Sequence, residues 1–349
     1  MTPLVSILIP AYNAQRWIGD TIQSALAQTW PRKEIIIVDD GSRDQTLRLA
    51  QEFASKAVCV VTQANHGASA ARNRAFELCQ GNYVQWLDAD DLLAEDKIAR
   101  QMRAAGEFES KWTLFSAAWA YFMFSRNRAR FVPTPLWCDL EPVEWLIRKM
   151  GQNLHMPPAT WLVSRELTQA AGPWDSRLSF DDDGEYFCRV VMKSDGIRFI
   201  PDANTFYRVS GSGSLSDFDA SEKKLVSLFL SMRLHVGYLR SIEDTQRTRA
   251  ACLSYLQRRF FRFYPEQVAI VEQLHQLAAT LGGTLEVSQL SWKYAWMRKL
   301  VGWTLTRRSR QLYNRSKSFA LRTWDKALFS MEAKDTVGST KRFRANPAR

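Results

Sequence analysis

Apolar and polar positions in the first hundred residues come in blocks. Leu4 to Ile9 is a nearly continuous apolar run, the pattern of a strand buried on both faces, and Pro10, which cannot donate to a ladder, is expected to end it. Gln15 to Gln28 places Trp17, Ile18, Ile22, Ala25 and Leu26 at helical spacing. Ile35 to Val38 reads as a second buried strand, Arg43 to Ser55 as a helix, Ala57 to Val61 as a third strand, and Ala68 to Cys79 as a helix opened by Gly67. Tyr83 to Leu87, aromatic and branched, is a fourth strand. This alternation predicts an α/β fold, a parallel sheet with helices on both faces. Further on, Glu95 to Gly106 reads as a helix, Trp112 to Phe124 as an aromatic-rich strand, and Pro157 to Arg165 as a loop and short strand. From Asp219 to Leu281, Leu225, Leu228, Phe229, Met232, Val236 and Leu239 recur at helical spacing, which predicts helices packed on the α/β part until Gly282-Gly283 breaks the run.

In parallel sheets, ligands bind beyond the carboxyl ends of the strands. Three strand ends carry polar clusters: Pro10-Ala11-Tyr12-Asn13, Asp39-Asp40-Gly41-Ser42 and Asp88-Ala89-Asp90-Asp91. Three carboxylates in the four positions of the last cluster repel one another. A hard divalent cation tied to phosphate oxygens would neutralise them, and a solvated acidic turn or helix cap is the plainer alternative. No G-x-G-x-x-G follows the first strand and no G-x-x-x-x-G-K-[ST] occurs, which argues against a dinucleotide fingerprint or a P-loop. The run Phe180-Asp181-Asp182-Asp183-Gly184-Glu185 precedes a helix and fits dipole capping. The aromatic side chains of 112–124 suit core packing, and their faces also suit stacking on sugar rings.

Composition adds compartment and tail. The apolar content of 46% supports a substantial core. Five scattered cysteines without a CxxC point to a reducing compartment, and four histidines show no ligand spacing. The N-terminus lacks the pattern of a signal peptide, and the longest nearly uncharged run, Trp112 to Ser125, is too short to span a bilayer. The net charge of +11 resides in residues 285–349, with fifteen Lys/Arg against four Asp/Glu, and the rest of the chain is neutral. Residues 290–324 mix tryptophans with Lys/Arg, as an anionic membrane surface or a partner-docking helix would require, and nucleic acid is disfavoured. The expectation is a cytoplasmic protein, peripheral on the cytosolic membrane face through that tail.

Four stretches together carry a resemblance: Val5 to Asn13, Ile37 to Thr46, Asn65-His66-Gly67-Ala68-Ser69-Ala70-Ala71-Arg72-Asn73, and Gly81 followed by Leu87-Asp88-Ala89-Asp90-Asp91. In order and spacing they resemble family 2 glycosyltransferases, closely over about the first 105 residues and more thinly to about 216. The resemblance implies a GT-A, Rossmann-like nucleotide-sugar domain over 1–216, with a nucleotide-binding half at 1–105 and an acceptor half at 106–216. A helical extension at 217–283 and a basic, tryptophan-rich amphipathic tail at 284–349 follow.

On those grounds Pro10, Ala11 and Tyr12 wall the base pocket, and Asp40 pairs with the base edge. Arg72 lies near the nucleotide, Asp88 faces ribose and sugar, and Asp90, assisted by Asp91, holds Mn²⁺ or Mg²⁺. The register of Arg189-Val190-Val191 makes Asp183 resemble the general base, with Asp182 as the alternative. Arg208 is a phosphate partner, in a Tyr207-Arg208-Val209-Ser210 segment where many members place a histidine instead of the serine. Gly211 to Ser216 resembles a loop that closes over donor. The implied activity is inverting transfer of a sugar from a nucleotide-sugar, a UDP-sugar foremost, to a hydroxyl of a glycan or lipid-linked glycan in envelope polysaccharide assembly. A non-catalytic nucleotide-sugar scaffold on the same fold is the alternative, and a sugar nucleotidyltransferase is disfavoured by the missing Gly-rich loop.

Overall fold

The computed structural model describes residues 2–108, 110–209, 221–286, 316, 323–326 and 329. The first elements are β1 (Val5–Ala11), α1 (Ile18–Leu26), β2 (Lys33–Asp39), α2 (Thr46–Gln51), β3 (Val58–Thr62), α3 (Ala68–Leu78) and β4 (Tyr83–Trp86). Next come β5 (Leu92–Leu93), α4 (Lys97–Glu107), β6 (Thr113–Phe122), β7 (Arg130–Phe131), α5 (Pro142–Gln152), β8 (Val163–Ser164), α6 (Arg165–Ala171), α7 (Asp182–Lys193) and β9 (Gly196–Arg208). Three helices follow: α8 (Glu222–Ile242), α9 (Gln246–Phe260) and α10 (Val268–Thr280). The architecture is the expected α/β domain with a helical extension.

The main sheet has the order β3-β2-β1-β4-β8, parallel except for the β4–β8 pair. Pro10 does not end β1, which continues to Ala11. Even-numbered residues of β1 face β4, as the bond from Leu87 N to Leu8 O shows, and β4 has parted from β1 by residue 10. The missing N–H of Pro10 therefore falls where no strand is left to accept it.

The continuous apolar runs are explained by burial on both faces. Val5, Ile7, Ile9, Ile35 and Ile37 pack against Ile18, Ile22, Ile98 and Met102 on one side. Leu8, Ile36, Val38, Val84 and Trp86 belong to the opposite cluster, which runs on through Tyr186 and Phe187 to Leu228, Met232, Tyr255, Phe260 and Leu274. The helical extension thus shares a core with the sheet. The 219–281 pattern resolves into three helices, the second opened by a capping box between Thr245 and Thr248.

A second sheet, β5-β9-β6-β7, was not legible as such, because its longest pair, β6 with β9, joins strands more than seventy residues apart in parallel. It brings Arg208, at the end of β9, beneath the turn that follows β4. No helix among the described residues is long and apolar enough to cross a membrane. The 211–216 loop and the 290–324 tail stretch lie outside the described residues, apart from Ser316, Thr323 and Trp324.

Candidate active site

The carboxyl ends of β1, β2 and β4 form one edge. Pro10 and Ala11 are buried in it, while Tyr12, just past the strand, is 47% exposed. Asp40 is buried and cradled: Oδ1 accepts from Gln63 Nε2 at 2.8 Å and His66 N at 3.0 Å, and Oδ2 from Gly67 N at 2.8 Å. It draws the loop before α3 against the end of β2. Gly41 is needed there, with φ +70° and only 3.0 Å between a would-be Cβ and Asn65 N.

The turn after β4 is held from below. Thr21 Oγ1 donates to the carbonyls of Ala89 and Asp91, both at 3.0 Å. The Arg208 backbone N–H donates to Asp91 Oδ1 at 2.8 Å, and Arg208 Nε to Asp90 O at 2.7 Å. The Arg208 guanidinium also reaches Met123 O and Asp20 and lies over the Trp17 and Phe122 rings. It is committed to the turn, and a phosphate would have to displace these contacts.

Asp91 is buried, with no hydrogen-bond partner for Oδ2 among the described residues. Burial first, then Asp90 and Asp88, push its pKa well above the ordinary value against the pull of Arg208. Asp88 and Asp90 are half-buried.

Arg72 joins this turn to the acidic run at the start of α7. Its Nη2 donates to Asp88 Oδ1 at 2.8 Å and its Nη1 to Asp182 Oδ2 at 2.7 Å, with the guanidinium 4.3 Å over the Trp174 ring. Burial opposes its charge, but Asp88 and Asp182 outweigh that and raise its pKa. The neighbouring Asn73 clasps the Trp174 backbone from both sides, at 2.9 and 2.8 Å. Trp174 in turn stacks on Tyr186 at 4.0 Å between ring centres. Asn73 and Trp174 were not singled out from sequence, since their positions lie 101 residues apart.

Asp183 differs from both neighbours. Among the described residues its carboxylate meets the N–H of Gly184 at 2.8 Å and His155 Nδ1 at 3.8 Å. Burial, then Asp182 and Asp181, push its pKa up to about 7, with Arg72 opposing. His155 sits in an aromatic group with Trp119 and Tyr207, and Tyr121 completes it on the solvent side. Its side chain stays 45% exposed, and desolvation by the surrounding protein, then the Lys149 charge, lower its pKa to about 4, so it is neutral at pH 7.

Residues 6–133 match the model of glycosyl transferase family 2. This chain carries a family 2 glycosyltransferase domain. It is 39% identical over 193 residues to the uncharacterized glycosyltransferase RT0329 of Rickettsia typhi, covering 55% of this chain and 60% of that one. It is 44% identical over 103 residues to TuaG of Bacillus subtilis, provisionally named a teichuronic acid biosynthesis glycosyltransferase, covering 29% and 41%. The matches therefore span less than two thirds of these relatives.

TarS from S. aureus, solved with UDP-GlcNAc, shares the fold at a TM-score of 0.65 and 17% identity over 80% of this chain and 81% of that one. A mannosyltransferase of Pyrobaculum calidifontis, solved with GDP-Man and Mn²⁺, follows at 0.51 and 17% over 98% and 88%. The glycosyltransferase domain accordingly has the GT-A fold that the four stretches imply.

The donor set of the β4 turn fits a hard divalent cation in its chemistry: carboxylates only, one with an unpartnered buried oxygen. No group of three His, Cys, Asp or Glu among the described residues could hold a metal by itself. An ion here would need further ligands, and phosphate oxygens of a nucleotide are of the right kind.

Proposed function

We propose that this protein transfers a sugar from a nucleotide-sugar donor, a UDP-sugar foremost, to a hydroxyl of a glycan or lipid-linked glycan, with inversion at the anomeric carbon. One observation carries the reading: Arg72 ties the donor-edge turn at Asp88 to Asp182, which sets Asp183 beside that edge.

In this reading Tyr12 covers the base and the cradled Asp40 shapes its pocket. Asp88 faces the ribose and sugar. Asp90, with Asp91 behind it, would hold Mn²⁺ or Mg²⁺, which supplies charge stabilisation for the departing nucleoside diphosphate. Asp183 takes the proton of the acceptor hydroxyl as its oxygen bonds to the anomeric carbon and the carbon–phosphate oxygen bond breaks on the opposite face. A carboxylate with a pKa of about 7 is well matched to that task. The exposed Tyr121 and His155, the latter beside Asp183 and both packed on Trp119 and Tyr207, suit the apolar face of a pyranose.

The donors seen in the two structural neighbours support a nucleotide-sugar and leave the base to be tested. The TuaG name supports envelope polysaccharide assembly. The reaction then belongs on the cytosolic side, with residues 290–324 as an anionic-membrane contact. A panel of UDP- and GDP-sugars, followed by mass detection of released nucleotide and product with and without Mn²⁺, tests the reading. Transfer is expected from one donor and lost in Asp183→Asn. Turnover at the wild-type rate by a folded Asp183→Asn protein would overturn it.

A further inference from the structure

The residue just before the acidic pair has a role of its own, and the C-terminal helices supply it. Asp181 adopts the left-handed region at φ +60° and opens α7. Its Oδ2 accepts from Ser231 Oγ at 2.7 Å on α8, and from Arg259 Nη1 at 3.1 Å and Tyr255 OH at 3.3 Å on α9. Ser227, one turn before Ser231, holds the preceding loop: its Oγ accepts from Ser179 N at 2.9 Å and Phe180 N at 3.0 Å and donates to Phe180 O at 2.9 Å.

Behind Ser231, His235 Nδ1 lies 2.7 Å from the Ser231 carbonyl, and His235 Nε2 lies 3.3 Å from Lys149 Nζ. An ammonium can only donate, so this network places the imidazole proton on Nδ1. Burial first, then Lys149, hold His235 down to about 3, so it is neutral. Ser227, Ser231, His235 and Tyr255 are all buried.

The local sequence is shaped to admit the Asp181 carboxylate. A Cβ at residue 184 would stand 2.5 Å from Asp181 Oδ1, so Gly184 is required two positions into α7. Asp181 stays charged: burial opposes it, but Arg259 foremost holds its carboxyl well below the usual range.

We propose that Asp181, clamped by the α8–α9 pair, is a positioning residue for Asp183: it fixes the backbone that carries the base and, as an ion pair with Arg259, sets the field the base feels. The role rests on the reading of Asp183 as the base. It makes 217–283 part of the catalytic unit and names the reason: a left-handed aspartate at a helix start is strained, and three donors from two later helices, the buried Ser231 and Tyr255 and the half-buried Arg259, hold it there.

The ionisable groups around Asp183 are Asp181 and Asp182 on its own segment, Arg72 from α3, Asp88 after β4, His155 after α5 and Arg259 from α9. The two members of the ion pair act on Asp183 with opposite sign. Loss of the Asp181 charge lowers its pKa, and loss of the Arg259 charge raises it. A role in packing alone moves neither in a sign-dependent way.

The test is a ¹³C-NMR titration of the Asp183 carboxyl in the full-length protein, assigned by its absence in Asp183→Asn. It needs no donor or acceptor. Asp181→Asn keeps the shape and a residue type that tolerates the left-handed region. It is expected to lower the midpoint, Arg259→Gln to raise it, each by about half a unit or more, and Arg259→Lys to keep it. Shifts of one sign in both charge variants, or no shift in either, overturn the proposal. So does a wild-type midpoint in the ordinary carboxylate range. If Arg259→Gln does not fold, Arg259→Lys and Asp181→Asn still oppose each other: an unmoved midpoint in the first and a lowered one in the second support the proposal, and any other pattern overturns it. A wild type that titrates and responds as expected yet transfers no sugar defeats the functional reading and leaves the ion-pair effect standing.

Discussion

Two acidic stretches, Asp88-Ala89-Asp90-Asp91 and Asp181-Asp182-Asp183, each carry three aspartates and have opposite electrostatic solutions. In the first, support comes mainly through the backbone. Thr21 and Arg208 hold carbonyls, and Asp91 is left buried with an unpartnered oxygen. In the second, each carboxylate has its own environment: Asp181 has Arg259, Asp182 has Arg72, and Asp183 has, among the described residues, only the neutral His155 as a basic side chain within 4 Å. In the first, Arg72 meets Asp88 and the buried Asp91 keeps one oxygen unpartnered, which a cation could relieve. The other neutralises two charges so that the third can carry a proton near neutral pH. Residue type fixes neither outcome, and the partners do.

The largest test of this contrast is removal of the third charge. Asp183→Asn is expected to reduce transfer by about 10²–10⁴-fold while nucleotide binding, read by calorimetry, persists. In the wild type kcat/KM should fall on the acid side with a limb near pH 7. Comparable nucleotide affinity and unchanged turnover would erase the distinction between the stretches.

Next comes the side chain that joins them. Arg72→Met leaves Asp88 and Asp182 without their buried counter-charge and should cost about 3–5 kcal/mol in urea unfolding. A loss below about 1 kcal/mol, the range of exposed pairs, would show that the bridge is not structural.

A smaller effect has the opposite sign. The folded-state pKa of Asp183 lies above its unfolded value, so its contribution is present in full below the unfolded pKa and is lost as pH rises toward about 7. Asp183→Asn should therefore match wild type in stability near pH 4 and exceed it by on the order of 1–3 kcal/mol at pH 8. Equal stability at both pH values would mean the carboxylate is not destabilised in place.

The smallest concerns the donor-side turn. Without divalent cation, Asp91→Asn preserves the acceptor for the Arg208 N–H and removes the buried charge, so it should stabilise by about 1 kcal/mol at pH 8. Added Mn²⁺ with UDP should raise the wild-type melting temperature more than that of Asp90→Asn. An equal rise in both would remove Asp90 from the metal role.

Much of this was legible in the chain. The apolar runs of β1, β2 and β4 announced a buried parallel sheet because burial on both faces leaves few polar positions inside a strand, Ser6 and Gln85 among them. The strand ends pointed to the polar clusters at 10–13, 39–42 and 88–91 because such ends converge in parallel sheets, and the family resemblance alone singled out Asp40, Asp88 and Asp90 within them. The helical register of 184–191 fits the placement of the acidic pair at the start of α7. Other features were not legible. The antiparallel β8, the second sheet, the clasp of Asn73 on Trp174 and the commitment of Arg208 to the β4 turn all join residues far apart in sequence.

The sequence by itself determined the alternation of elements, the edge where chemistry collects and the residue types gathered there, because periodicity and local propensity report how each segment meets its surroundings. Only the tertiary structure decided which partners each acid in those clusters meets. Ser231 and Arg259 reach Asp181, and Arg72 reaches Asp182, across 50, 78 and 110 positions. Charge in a buried site is governed by the groups within a few ångströms, and no local pattern along the chain encodes which distant side chains those will be.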